Sequence, residues 1–238
     1  FGPGTATRVI LVGSGKGGVG KSTVTANLAV SLAQAGYQVG LIDADIFGFS
    51  ITQQLGITER PTRLDDMMLP PIAFGVKVIS IGMFIEGNEP VSWRGPMLHK
   101  AIEQFLTDVY WGPLDFLLID MPPGTGDVAI SIGQLLPNAK ALVLTTAAKA
   151  AAVVSVRSGL AASKAGHELI GVVENLSFLE QAGHKVALFG SGGGLQVAQE
   201  LSAETGKAVA LLVQVPISSE LSASSDEGKP LVLSQPDV

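Results

Sequence analysis

The sequence predicts an α/β fold built on a doubly wound, mostly parallel sheet of about seven strands with helices on both faces. Short runs rich in Val, Ile and Leu alternate with longer segments whose apolar residues recur at helical spacing. Strands of a parallel sheet are buried on both faces, so they read as continuous apolar runs. Several of the helical segments also end at glycine, which is common at helix C-termini.

The predicted elements alternate along the chain. Strands are predicted over residues 8–13, 38–44, 77–83, 115–121, 140–146, 168–176 and 209–215. Helices are predicted over residues 22–35, 97–109, 128–136, 148–164, 194–205 and 218–226. The span 46–76 is less regular, and we interpret it as a short helix followed by an extended surface loop.

Length and composition favour one domain over residues 1–238. Of the 238 residues, 47% are hydrophobic, which is enough for a sizeable core. No polar, proline-rich or serine-rich linker divides the chain. The chain opens with FGPGTATR and lacks an initiator methionine, which fits a piece of a longer protein that has an N-terminal domain.

Charge, cysteine content and run length exclude several classes of protein. With 21 acidic and 15 basic residues, the net charge of -6 disfavours nucleic acid as a partner. The absence of cysteine excludes disulfides and thiolate metal sites, and it fits a cytoplasmic location. No apolar run approaches the roughly 20 residues of a membrane helix, so no membrane partner is expected. His99, His167 and His184 are too scattered in sequence for a spaced metal site.

A glycine-rich loop, VGSGKGGVGKST, connects the first predicted strand to the first predicted helix. It matches G-x-x-x-x-G-K-[ST], the pattern in which backbone N–H groups surround phosphate oxygens at a helix N-terminus. In this pattern Lys21 neutralises the β- and γ-phosphates, and Ser22 supplies a hydroxyl to Mg²⁺. The sequence therefore predicts a nucleotide site. Its phosphate-binding residues are Gly15, Lys16, Gly17, Gly18, Val19, Gly20, Lys21, Ser22 and Thr23.

Carboxylates follow two predicted strands at the ends where open α/β sheets place their sites. The second strand runs into DADIFG and the fourth into DMPPGTGD. Asp45 and Asp120 are the strongest candidates for a role at the nucleotide. Asp43 fits either a structural hydrogen bond or a direct role, and Asp127 fits either a helix N-cap or a switch segment.

Lys16 is not required by the generic motif, and it makes GKGGVGKS similar to the deviant Walker A loop of the MinD/ParA class of P-loop ATPases. Longer stretches resemble the Mrp/ApbC ATPases, which are described as iron–sulfur cluster carriers. The resemblance extends from Val9 to Leu233. The stretches that carry it are DADIFG, KVISIGMF, VSWRGPML, DFLLIDMPPGTGD, VVENLS, FGSGGG and GKPLV.

The resemblance implies a homodimer with ATP sites near its interface. It implies that Lys16 reaches the partner's nucleotide, as a lysine counterpart of an arginine finger. Asp45 would orient the attacking water near Mg²⁺, and Asp120 would act on the metal through water. Asn175 would read adenine through its amide, and Pro216 would line the base pocket.

The chain departs from this family in its sulfur chemistry. Family members usually carry Cys-x-x-Cys after the strand that ends in EN(M/L)S, whereas this chain reads FLEQAGHKVALFG. Bridging iron–sulfur clusters need soft sulfur ligands, which a single histidine does not replace. The cluster role is therefore lost, performed differently, or completed by a partner that supplies the sulfur. For Trp93 and Arg94 a place at the dimer face and a place near the nucleotide both remain open.

Three functions fit these residues. The first is a switch protein that hydrolyses Mg-ATP and works with donor or client proteins of iron–sulfur maturation. The second is a MinD/ParA-like positioning ATPase, which needs a membrane or DNA surface. The C-terminal PLVLSQPDV offers that function neither a basic amphipathic helix nor a lysine cluster. The third is a nucleotide-gated scaffold that turns over slowly.

Overall fold

A computed structural model describes residues 1, 5–46, 48–85, 95–125 and 132–235. Trp93, Arg94 and Asp127 lie outside the described residues, as do the first residues of the helix expected at 128–136. Within the described ranges, no helix is both long enough and apolar enough to cross a membrane.

The main sheet has eight strands in the order β12-β9-β8-β1-β7-β2-β6-β5. β2 pairs in parallel with β6 and β7, and β9 pairs in parallel with β8 and β12, whereas β5 pairs with β6 in the antiparallel direction. All seven predicted strands are present, and β5 raises the number. The strands of this sheet are β1 (Arg8–Ser14), β2 (Val39–Asp43), β5 (Ile72–Ala73), β6 (Val76–Ser80), β7 (Phe116–Asp120), β8 (Lys140–Thr146), β9 (Glu168–Asn175) and β12 (Leu211–Gln214).

Two small antiparallel sheets accompany the main sheet. One joins β3 (Thr62–Leu64) to β4 (Met67–Leu69), and the other joins β10 (Leu179–Gln181) to β11 (His184–Val186). The β3–β4 hairpin corrects the extended loop expected within 46–76. Its two-residue turn places Asp65 at a φ of 51°, a left-handed conformation that Asp tolerates better than most residues.

Helices connect the strands of the main sheet, as the alternating pattern predicts. The short helix expected within 46–76 is present as α2, and residues 132–135 are also helical. The helices are α1 (Lys21–Gln34), α2 (Ile51–Gln54), α3 (Gly95–Thr107), α4 (Lys149–Lys164), α5 (Gly193–Thr205) and α6 (Ser219–Asp226).

The chain divides into two compact units, each with its own apolar core. Unit 1 comprises Phe1–Ile10, Ser22–Pro122 and Glu220–Val238, and unit 2 comprises Leu11–Lys21 and Pro123–Ser219. The one-domain organisation expected from the sequence stays a prediction.

The core of unit 1 packs side chains of α1 against β2, β6 and β7. Leu41 and Leu118 lie at its centre and are fully buried. Burying one such side chain contributes about 1.5–3 kcal/mol. This core fixes α1 and the ends of the strands that carry the predicted carboxylates.

The core of unit 2 packs α4 and α5 against β8 and β9. Its members are Val143, Ala152, Val156, Val172, Val197, Ala198, Leu201 and Val209. Beside it His167 is only 4% exposed, and its Nδ1 lies 3.0 Å from the Ala139 carbonyl oxygen. A carbonyl only accepts, so Nδ1 is the protonated nitrogen of the neutral ring. Desolvation by burial lowers the pKa of His167, although the hydrogen bond to Ala139 acts in the opposite direction.

Candidate functional site

The glycine-rich loop lies between β1 and α1, where the sequence places it. β1 ends at Ser14 and α1 begins at Lys21, so residues 15–20 form the loop. Gly18 and Gly20 have φ angles of 77° and 79°, in the left-handed region that glycine adopts without strain. The predicted strand–loop–helix unit is therefore present.

Gly15 lies directly against the backbone of α4. A Cβ atom at this position would lie 2.2 Å from the carbonyl carbon of Val154 and 2.4 Å from the nitrogen of Ser155. Backbone atoms in a helix cannot shift to relieve such overlaps, so only glycine fits here. Helix α4 thus supports the start of the loop from within unit 2.

The two lysines of the loop occupy different environments. Lys21 begins α1 and is only 6% exposed, whereas the side chain of Lys16 is exposed. The Ser14 hydroxyl donates to the Lys16 carbonyl oxygen at 3.0 Å, which holds the Lys16 backbone while its side chain faces solvent. The difference in exposure fits different partners for the two ammonium groups.

Asn175 ends β9 and reaches the loop with its side chain. Its Nδ2 donates to the Val19 carbonyl oxygen at 2.8 Å, and the residue is 3% exposed. A Cβ atom at Gly20 would lie 2.2 Å from Nδ2, which is a second reason for glycine at this position. The contact with adenine expected for Asn175 stays a prediction, whereas the contact with the loop was not foreseen.

Pro216 belongs to the segment that follows β12. This segment runs beside the end of β9, because the Val215 N–H donates to the Glu174 carbonyl oxygen at 2.8 Å. The Ser177 N–H donates in turn to the Val215 carbonyl oxygen at 3.0 Å. Asn175 and Pro216, both expected at the base, therefore lie on neighbouring segments of unit 2.

Asp120 ends β7 and accepts hydrogen bonds from two hydroxyls of α1. The Ser22 hydroxyl donates to Oδ2 at 2.5 Å, and the Thr25 hydroxyl donates to Oδ1 at 2.9 Å. Asp120 and Thr25 are fully buried. The structure thus brings together Ser22 and Asp120, the candidate magnesium ligands, and adds Thr25, which lies one helical turn after Ser22 on the same face of α1.

Asp43 organises the backbone around Asp45. Its Oδ1 accepts from the Asp45 N–H at 3.2 Å, and its Oδ2 accepts from the Ser80 hydroxyl at 3.1 Å and from the Ile51 N–H at 3.3 Å. Asp43 is fully buried, and Asp45 is 7% exposed. Of the two roles open for Asp43, the structural hydrogen bond is present.

The oxygen donors of unit 1 suit Mg²⁺. Ser22 and Asp120 place a hydroxyl and a carboxylate oxygen 2.5 Å apart, and Mg²⁺ prefers such hard oxygen ligands. Across the described part of the chain, no group of three His, Cys, Asp or Glu side chains could hold a metal ion without further ligands. A magnesium ion here would therefore share its coordination with water and nucleotide phosphates.

The β10–β11 hairpin occupies the stretch where related carriers usually have two cysteines. Gln181 and His184 face each other across its two-residue turn. Lys185 Nζ lies 4.0 Å from the centre of the Phe178 ring, a cation–π distance. The chain contains no cysteine, so this hairpin offers no thiolate.

Comparisons with known proteins identify close relatives. The ParA family model, described as NUBPL iron-transfer P-loop NTPase, matches residues 5–238. The iron-sulfur cluster carrier protein of Mycobacterium tuberculosis is 56% identical over 236 residues, which are 99% of this chain and 62% of that protein. The one from Bacillus subtilis is 49% identical over 210 residues, 87% of this chain and 58% of that protein. This chain thus spans about 60% of the length of these relatives.

Solved structures agree with the fold. A nucleotide-binding protein from Archaeoglobus fulgidus in complex with ADP is 35% identical with a TM-score of 0.78, and the match covers 93% of this chain and 86% of that one. The septum site-determining protein MinD of Pyrococcus horikoshii, complexed with Mg-ADP, is 23% identical with a TM-score of 0.67. That match covers 98% and 90% of the two chains and supports the P-loop NTPase fold alone.

The matches extend over nearly the whole chain and confirm the resemblance predicted from its motifs. The family model covers the glycine-rich loop, the strand-end carboxylates and the β9 terminus together. The chain therefore belongs to the ParA family, described as NUBPL iron-transfer P-loop NTPase.

Proposed function

We propose that this chain binds ATP with Mg²⁺ and hydrolyses it. The observation that carries the proposal is a 2.5 Å hydrogen bond to Asp120. Its donor is the hydroxyl of Ser22, the residue that follows the loop lysine Lys21. A hydroxyl and a carboxylate at this point of a strand–loop–helix unit are the groups that P-loop ATPases direct at magnesium. The ADP bound to the Archaeoglobus fulgidus protein, at 35% identity, supports a nucleotide as the ligand.

Each predicted residue has a role in this proposal. The backbone N–H groups of residues 15–20 bind phosphate oxygens, and Lys21 neutralises the β- and γ-phosphates. Ser22, Asp45 and Asp120 hold magnesium directly or through water, and Asp45 also orients the attacking water. When bound, Mg²⁺ would neutralise charge on the phosphates. Pro216 contacts the base, and Asn175 contacts the loop through its hydrogen bond to the Val19 carbonyl oxygen.

The proposal includes a homodimer in which Lys16 acts on the partner's nucleotide. The exposed side chain of Lys16 supports this, because a lysine that serves a neighbouring subunit must leave its own loop. A cytoplasmic location also belongs to the proposal.

Lys21→Ala tests the nucleotide site. We expect wild-type protein to hydrolyse ATP only with Mg²⁺, and Lys21→Ala to weaken ATP binding by roughly 10- to 100-fold, because it removes a charged hydrogen bond to the phosphates. ATP titration by calorimetry and phosphate release measure these effects. Lys207→Ala, which removes an exposed lysine beyond the end of α5, is the matched control. Wild-type protein that neither binds nor hydrolyses ATP would refute the proposal.

We further propose that the iron–sulfur cluster is cargo of iron–sulfur maturation and is not held by thiolates of these 238 residues. The relatives named iron-sulfur cluster carrier proteins support the link to clusters. The absence of cysteine supports the restriction, because sulfur ligands hold such clusters. A donor or client protein would supply the sulfur ligands.

Anaerobic reconstitution with iron and sulfide tests this restriction. We expect the chain to retain no stoichiometric cluster after desalting, as measured by iron content, sulfide content and visible absorbance. The double substitution Gln181→Cys and His184→Cys is the positive control, because it places a Cys-x-x-Cys pair on the β10–β11 hairpin. We expect it to gain a cluster shared between two chains. A stoichiometric cluster on the unsubstituted chain would overturn the restriction.

A further inference from the structure

One buried side chain connects the end of β9 to the glycine-rich loop. Asn175 Nδ2 donates to the Val19 carbonyl oxygen at 2.8 Å, across 156 positions of sequence. Val19 is fully buried, so this carbonyl lies where an unmade hydrogen bond is costly. The Oδ1 atom of Asn175 is buried and has no hydrogen-bond partner among the residues that the structure covers. The hydrogen bond that this amide makes is thus directed at the loop.

The surroundings of Asn175 fix its direction. The preceding residue, Glu174, is 1% exposed, and its carboxylate accepts from the Gly194 N–H at 2.5 Å and from Gln214 Nε2 at 2.7 Å. After Asn175 the chain turns sharply, because Leu176 adopts a φ of 53°. The Ser177 hydroxyl then donates to the Glu174 carbonyl oxygen at 2.7 Å. These contacts hold the end of β9 against α5 and β12, so the side chain of Asn175 projects from a fixed backbone.

The hydrogen bond to Val19 also orients the next N–H group of the loop. The peptide between Val19 and Gly20 is trans and planar, so its N–H points opposite to its C=O. Because Asn175 holds the C=O, the Gly20 N–H is directed away from Asn175. Gly20 has the left-handed φ of 79° that this turn requires. The amide therefore sets the direction of one donor that a phosphate would use.

We propose that Asn175 is a positioning residue of the phosphate loop, which prepares the loop for a polyphosphate whatever base is attached. The inference rests on the proposed nucleotide binding and adds a residue that acts on phosphate through the loop. It differs from adenine reading in one measurable respect. A positioning residue changes affinity for all polyphosphates alike, whereas a base reader changes the preference between bases.

Asn175→Ala is tested by calorimetry with ATP, GTP and inorganic tripolyphosphate, each with Mg²⁺. We expect affinity for all three to fall by the same factor, roughly tenfold, because the Val19 carbonyl loses its donor. The ratio of ATP to GTP affinity should not change. Ser202→Ala is the control, since it removes an α5 hydroxyl that donates to the Ala198 and Val209 carbonyl oxygens and takes no part in holding the end of β9. We expect this control to lower the melting temperature and to leave all three affinities at wild-type values.

Other results would overturn the inference. A changed ratio of ATP to GTP affinity with unchanged tripolyphosphate binding would make Asn175 a base reader. Three unchanged affinities would remove any role in the loop. If Asn175→Ala does not fold, Asn175→Leu is measured with the same three ligands, because leucine fills a similar space but cannot donate to the Val19 carbonyl oxygen. Wild-type protein that binds none of the ligands would instead refute nucleotide binding itself, before any variant is compared.

Discussion

Lys16→Ala is expected to lower ATP hydrolysis by roughly 10³-fold while it leaves ATP affinity nearly unchanged. A cation that a partner supplies to transferring phosphate is worth about this much in phosphoryl transfer. The structure separates the two loop lysines, since Lys21 is 6% exposed at the start of α1 and Lys16 faces solvent. Cβ atoms placed at Gly17 and Gly18 would meet no atom within 4 Å, so the loop is open beside Lys16. An approaching partner would therefore find this lysine accessible.

Mixing two inactive variants tests whether Lys16 acts on the partner's nucleotide. In the proposed dimer, a Lys16→Ala subunit would bind ATP but give its partner no lysine, whereas a Lys21→Ala subunit would bind ATP poorly but still carry Lys16. We expect the mixture to recover hydrolysis at one site of each mixed dimer, up to about half of the sites in those dimers. Phosphate release is measured as the proportion of the two variants is changed. If dimers shown to be mixed recovered no hydrolysis, Lys16 would act on the nucleotide bound to its own subunit.

The elements of this fold were predictable because each has a strong local signal. β7 and β8 are buried over nearly their full length, and each contains a run of four apolar residues, FLLI in β7 and ALVL in β8. The glycine-rich loop has a fixed spacing between a strand and a helix. β5 was missed because it contains only two residues, Ile72 and Ala73, and neither is buried. Alternation of apolar and polar residues cannot be recognised over a segment of two residues.

The contacts that assemble the candidate site were less predictable. Thr25 could have been found, since it lies three residues after Ser22 and faces the same way on α1. The hydrogen bond from Asn175 to Val19 could not, because it depends on where the end of β9 lies beside the loop. No local pattern encodes that position. The resemblance to known ATPases implied a contact of Asn175 with adenine, which stays a prediction, and the structure adds the contact of the amide with the loop.

Asp120→Asn is expected to raise the Mg²⁺ concentration needed for half-maximal hydrolysis by roughly 10- to 100-fold. Asparagine preserves the shape of the side chain but removes the negative charge and one of the two acceptor oxygens. Asp120 now accepts from Ser22 at 2.5 Å and from Thr25 at 2.9 Å. An amide has one acceptor oxygen, so Ser22 and Thr25 can no longer each donate to an oxygen of their own, and the charge that attracts the metal disappears. ATP binding without Mg²⁺ should change little.

Thr25→Val separates the metal effect of Asp120 from its structural effect. The substitution keeps the shape of the side chain and removes only the hydroxyl that donates to Oδ1. It leaves a buried carboxylate oxygen without this donor, at a cost of about 1–3 kcal/mol in the free energy of unfolding. The carboxylate and its bond from Ser22 remain, so the Mg²⁺ requirement should stay near that of the wild type. Magnesium titrations of hydrolysis and denaturant unfolding of both variants measure this. If the two variants required the same Mg²⁺ concentration, Asp120 would act by supporting α1 alone.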